Sequence, residues 1–225
     1  MNVAGADGSP SGWSVAYMDD SAQITLFSCP SIQDIFHIIP SITVLAIDMI
    51  IGLPEQTLAG GREAEKEARK LLSPRGSVVF SAPCRASIYA PNYLQALEMS
   101  RASSHEHIGL SKQSYLLAPK IIELDQFLQG NPYHHCAIKE THPELSFWEM
   151  NSRTPLPSKH TTEGREKRKE LLQKHNCTVS SFQSKDDLDA LACLWSALRI
   201  QKKEAHSIPA QIPRDRYQIP MHITW

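Results

Sequence analysis

The sequence has no Cys-x-x-Cys pair, no apolar run approaching the roughly 18 residues that span a bilayer, and no excess of either charge. Five cysteines, Cys29, Cys84, Cys136, Cys177 and Cys193, are odd in number and far apart, which argues against a disulfide framework and a structural zinc site. The missing apolar run excludes a spanning helix, and the N-terminus lacks the basic start and apolar core of a signal peptide. A cytoplasmic chain without a membrane partner is therefore expected. With a net charge of -1, contact with nucleic acid has to rest on a local basic patch rather than on a basic molecule. A hydrophobic content of 41% and a charged content of 21% describe an ordinary globular protein. Its 225 residues suffice for one core-forming domain with an insertion.

What is present is organised around the opening stretch, Val3-Ala4-Gly5-Ala6-Asp7-Gly8-Ser9-Pro10-Ser11-Gly12. A short apolar run ends in one carboxylate, passes a turn rich in Gly, Ser and Pro, and restarts with Trp13, Val15 and Tyr17 alternating on one face. This predicts a β-hairpin with an acid at its bend. A charge beside a buried strand is costly unless it is paired or holds a cation. Asp7 is thus either a metal ligand or a turn residue capping its own loop.

Further along, residues 22–29 alternate as a third strand, reached through the Asp19-Asp20-Ser21 turn. A helix over 32–38 follows, and then an almost wholly apolar strand over 42–47 that ends in Asp48. A strand returning through a helix is expected to lie parallel to the first, which sets Asp7 and Asp48 one strand spacing apart, about 4.8 Å. Helices are predicted over 62–72, 92–104 and 112–129, the last with a kink or restart at Pro119. This block, about 60–130, reads as a helical insertion between strands four and five. A fifth strand over 137–141 precedes His142-Pro143-Glu144, and a basic helix over 161–175 carries Arg165. The last helix, 186–201, is apolar nearly all round and has Asp186, Asp187 and Asp189 in its first turn, with Asp186 and Asp189 sharing a face. The domain spans 1–205, and 206–225 reads as a C-terminal tail.

Collected, the candidate acids are Asp7, Asp48, Glu140, Glu144, Asp186 and Asp189. Carboxylate oxygens suit Mg²⁺ or Mn²⁺ rather than zinc. Two such ions about 4 Å apart support in-line attack of water on a phosphodiester, with no Ser-His-Asp constellation needed.

The motifs AGADGSPSGW, AIDMIIGLPE, GGREAEKEARKLL with SPRGSVVFSAPCR, KETHPELSFWEMN and DDLDALACLW together resemble the family catalogued as domain of unknown function 429. That family is described as predicted nucleases of the RNase H-like fold. The resemblance implies an α/β domain with a mixed five-stranded sheet in order 3-2-1-4-5, its first three strands antiparallel and helices on both faces. It places Asp7, Asp48, Glu140, Glu144, Asp186 and Asp189 on motif positions as catalytic or metal-binding acids, all but Glu140 in the catalytic set. Arg62, Arg75, Arg85 and Lys159 also fall on family-like motifs, where they meet phosphates or brace the acids, with Arg165 of the basic helix as a further substrate contact. One departure is Ser11-Gly12-Trp13, where the family has Gly-Gly-Trp.

The expected activity is metal-dependent hydrolysis of DNA or RNA. Two alternatives stand beside it. One is a non-catalytic nucleic-acid or metal-binding scaffold. The other is a phosphotransferase related to actin-like ATPases, which the lack of a second Asp-Gly hairpin disfavours.

Overall fold

The computed structural model describes residues 2–9, 11–179 and 184–225. Strands β1 (Val3–Ser9) and β2 (Gly12–Met18) pair antiparallel, with Asp7 opposite Ser14 and Ser9 opposite Gly12. Asp7 therefore lies within the ladder and not at the bend; Pro10, assigned by the sequence to the turn, lies outside the described residues. At the next turn Asp19 Oδ1 accepts from the Ser21 and Gln23 amides at 2.8 and 3.1 Å, which steers the chain into β3 (Ile24–Cys29). Ser31 and Asp34 form a reciprocal capping box that starts α1 (Ile32–Ile38). The chain then returns as β4 (Val44–Asp48), parallel to β1.

Between β4 and β5 (Ile138–Glu140) come α2 (Glu63–Leu71), α3 (Arg85–Ile88), α4 (Tyr93–Ala102), α5 (Lys112–Leu116) and α6 (Ala118–Gly130). The helix expected over 112–129 is thus two, with Pro119 in the first turn of α6, where its missing N–H costs nothing. After β5 follow α7 (Pro143–Met150), α8 (Thr162–Lys174) and α9 (Lys185–Lys202), then β6 (Ser207–Ile208) paired with β7 (Ile223–Thr224).

The main sheet is five-stranded in order β3-β2-β1-β4-β5, antiparallel in its first three strands and parallel from β1 through β5. Side chains alternate between its faces. Trp13, Val15, Leu45 and Ile47 meet α1 and α6, through Ile32, Ile35, Ile121 and Leu124. Val3, Ala16, Val44 and Ala46 meet α7, α8 and α9 on the other face. The α6 part of the expected insertion is thus a covering layer of the sheet. The segment set apart as a tail is also integral: Ile219 and Trp225 are buried, and buried Asp215 accepts from the Leu53 amide and pairs with Arg85 at 2.6 Å.

Helix α9 lies closest to the sheet at Gly5. A Cβ there would sit 2.0 Å from the Leu194 nitrogen and 2.3 Å from the Ala190 oxygen, so helix backbone rests directly on strand backbone. Gly5→Ala should therefore destabilise the chain by at least about 3 kcal/mol, read as a lower urea midpoint. An unchanged midpoint would mean that helix and strand can separate without loss.

Candidate functional site

Asp7 and Asp48 end their apolar runs as direct partners in the parallel ladder. By the two-residue alternation both project onto the face covered by α9. The start of that helix is fixed over them. Ser184 caps it, and Asp187 completes the capping box while its Oδ1 accepts from Ser14 Oγ at 2.9 Å. Ser14 is the residue opposite Asp7, so Asp187 pins the helix start beside the acids. The sequence offered Asp187 as no more than an acid in a first turn. Two residues on, Asp189 is 4% exposed and accepts from Lys159 Nζ at 2.7 Å. Asp186 is partly exposed.

The charges are mutually unfavourable. Burial, followed by Asp48, Asp189 and Asp186, pushes the Asp7 carboxyl well above its usual range, against a smaller opposing pull from Lys159. Burial pushes Asp48 up to about 6; Asp189 and Glu144 add to the rise, and His142 and Lys159 oppose it. Asp189 is raised in the same way by burial, with Lys159 opposing. Burial also disfavours the Lys159 ammonium, but Asp189, Asp48 and Asp7 outweigh it and hold it charged. Asp7, Asp48, Glu144, Lys159 and His142 line one pocket of about 390 Å³.

The two glutamates stand differently. Glu144, in the first turn of α7, is gripped through both oxygens by Arg168 Nη2 at 2.7 and 2.8 Å. Arg168 is buried and also donates to the Pro157 and Gly164 carbonyls. Glu140, at the end of β5, accepts from Arg62 Nη2 at 2.6 Å and from the Ile51 amide at 2.7 Å. Among the described residues, no three His, Cys, Asp or Glu side chains are grouped so that they could hold a metal ion. Of the carboxylates lining this pocket, Asp7 and Asp48 are left without an arginine, and Asp189 is joined to the pocket through Lys159.

The expected phosphate contacts also divide. Arg62 and Arg85 are buried, Arg62 between Glu65 and Glu140 and Arg85 between Asp125 and Asp215, so both brace acids and neither faces a substrate. Arg75 lines the pocket while donating to the Leu156 carbonyl. Lys159 lies in the pocket, and Arg165 is exposed at the start of α8 near His160. Arg168, His142 and His160 went unread as site residues. His142-Pro143-Glu144 was visible as a strand-to-helix junction, and His142 does cap α7, its Nδ1 accepting from the Glu144 amide at 3.2 Å.

Two consequences can be measured. Asp48 titrates at about 6 when folded, against about 3.9 for a free carboxyl, so the folded chain holds the proton more tightly. Its contribution to stability is full below the lower value and is lost as pH rises through the higher one. Asp48→Asn should therefore raise Tm by several degrees at pH 8 in metal-free buffer, with the gap closing towards pH 4. A gap independent of pH would refute this assignment. Arg168→Met leaves Glu144 buried without its partner and should cost about 3–5 kcal/mol in a denaturant titration, whereas a loss below about 1 kcal/mol would mean that the pair is solvated.

Comparison with curated proteins and with solved structures returns no match. Residues 5–214 match the family described as Protein of unknown function (DUF429), which covers both strand-end acids, the α9 acids and the arginine braces. The chain belongs to that family.

Proposed function

We propose that this chain is a metal-dependent nuclease of RNase H-like fold that hydrolyses phosphodiester bonds of DNA or RNA, acting in the cytoplasm. One observation carries the reading: two carboxylates adjacent on neighbouring parallel strands in one pocket, with a third, Asp189 of the buried helix start, close enough to disfavour their charge. Buried like charges raise one another's pKa and destabilise the fold. A site that keeps them is suited to a divalent cation, which would displace their protons.

Carboxylate oxygens are the donors a hard ion takes. Asp7, Asp48 and Asp189 are the residues that would hold Mg²⁺ or Mn²⁺, and because no three such side chains among the described residues are already grouped to hold an ion, a bound one would have to draw them together. When bound, such ions supply a lowered pKa for the attacking water and charge stabilisation on the leaving oxygen. The chain's own groups do the rest. Lys159 neutralises Asp189 and fixes its orientation. Arg75 and Lys159 lie on the pocket wall as the cations that meet a phosphate, with His160 beside them as a further lining residue. Glu140 and Glu144, each matched by its own guanidinium, hold the ends of β5 and α7 in place and leave ligation to the aspartates.

The test is incubation of the purified chain with Mg²⁺ or Mn²⁺ and end-labelled single-stranded, duplex, hybrid and branched substrates. Cleavage is expected with metal, lost in EDTA, and reduced to background by Asp7→Asn. Mn²⁺ should also raise the Tm of the native chain and leave that of Asp7→Asn unmoved. Metal binding without turnover on any substrate would favour the scaffold reading, and metal-independent cleavage that survives Asp7→Asn would sink the assignment.

A further inference from the structure

The acidic pocket has a second wall of different chemistry. Besides Asp7, Asp48 and Lys159 it is lined by the apolar side chains Val78, Val79, Phe80, Leu117 and Ile223. Phe80 is 42% exposed, which is unusual for a phenylalanine with a buried valine beside it. Its backbone is nevertheless held. The Arg69 guanidinium donates to the Val79 carbonyl at 3.0 Å, to Ser81 Oγ at 2.8 Å and to the Gly60 carbonyl, so the segment presenting the ring is tied down on both sides.

Val79 and Phe80 also line a second groove, of about 550 Å³, so the segment that presents the ring belongs to both. That groove is walled largely by small and hydroxyl-bearing residues such as Ser77, Ser81, Ser111 and Ser114; no carboxylate lines it and Arg69 does. Phe80 thus stands as a held aromatic side chain shared by an acidic pocket with cations on its wall and a groove free of carboxylates that carries one arginine.

A duplex presents phosphates outward with its bases stacked inside, and gains nothing from an apolar wall beside the acids. An unpaired nucleotide does gain from it, because its phosphate and its base face are then both accommodated, and stacking on an aromatic side chain is the general means of holding a splayed base. We propose that the pocket accepts a single unpaired nucleotide, its phosphate towards Asp7, Asp48 and Lys159 and its base against Phe80, and that the adjoining nucleotide crosses Phe80 into the second groove. The substrate class is therefore single-stranded nucleic acid, or an unpaired stretch within a larger one. This rests on the reading of the acidic pocket as a phosphodiester site, but its test does not require turnover.

The measurement is anisotropy of a fluorescein-labelled ten-nucleotide single strand against the full chain in Ca²⁺, an ion that carboxylates also take, compared with the same strand in a blunt duplex and competed with a mononucleotide. The single strand should bind at least about tenfold more tightly than the duplex, and the mononucleotide should compete more weakly than an unlabelled strand. Phe80→Ala removes an exposed ring and leaves the core intact. It should weaken single-strand binding by about tenfold, the usual loss for one stacked base, and leave duplex binding unchanged. Phe80→Trp should restore the affinity, with its added fluorescence quenched on binding. Equal affinity for strand and duplex, no effect of Phe80→Ala, or no binding of any nucleic acid would overturn the proposal, and a mononucleotide as potent as the strand would remove the second groove from it. Strand binding through Phe80 without cleavage under any metal would instead sink the hydrolase reading and leave this one standing.

Discussion

The structure depends on the direct seating of helix α9 on strand β1. At Gly5 no side chain intervenes, so the helix axis comes as near the sheet as backbone atoms allow. Ala190, Cys193 and Leu194, all fully buried, complete the contact. The helix start is then fixed a second time, through Asp187 and Ser14. With its contact face on Gly5 and its first turn on β2, the helix has no freedom left to slide or rotate. Asp189 is carried to the carboxylates of β1 and β4 as a consequence.

The acid pocket opposes the stability of the chain that contains it. Asp7, Asp48 and Asp189 are all pushed towards their neutral forms, chiefly by burial. A chain under selection for stability alone would place asparagine or an apolar residue at these points. Around the pocket the opposite rule holds. Glu140, Glu144, Asp125 and Asp215 each meet a buried arginine, so their charges are compensated and the frame is rigid. The contrast is between acids matched by a buried arginine, Glu140 and Glu144 of the pocket among them, and Asp7 and Asp48, which no arginine meets. Local strain or instability of this kind concentrates where a protein does its chemistry.

Much of the frame was legible in the sequence because it rests on short-range pattern. Two-residue alternation located β2 and β3, a short apolar run ending in Asp7 located β1, and the apolar run before Asp48 marked a central strand covered on both faces. The juxtaposition of Asp7 and Asp48 followed from one connection rule, a strand returning through a helix. Features set by long-range contact were not legible. Nothing near Arg168 marks it as the partner of Glu144, since its neighbours Lys167 and Lys169 are solvated and paired with Glu170 and Glu166. Arg62 and Arg85 read equally well as phosphate contacts or braces until burial decided the matter. The C-terminal segment, poor in periodicity and rich in proline, gave no sign that Asp215 and Ile219 enter the core. Its anchors are scattered ion pairs and hydrogen bonds, Asp215 to Arg85 and the Leu53 amide, Arg216 to Glu55 and Trp225 to Glu149, with a few isolated apolar side chains, which leave no repeat to detect.

The route of the chain through the pocket has a consequence for biosynthesis. Asp7 and Asp48 leave the ribosome long before α9 does, because the whole helical block and strand β5 are translated in between. Until α9 emerges, Gly5 faces solvent and the two carboxylates have no lid, so a nascent chain carries an open, hydrated acidic edge and not a closed site. Closure is a late, long-range event of the kind that slows folding. Any property that needs Asp189 beside Asp7 and Asp48 would thereby be absent until synthesis of the chain is nearly complete.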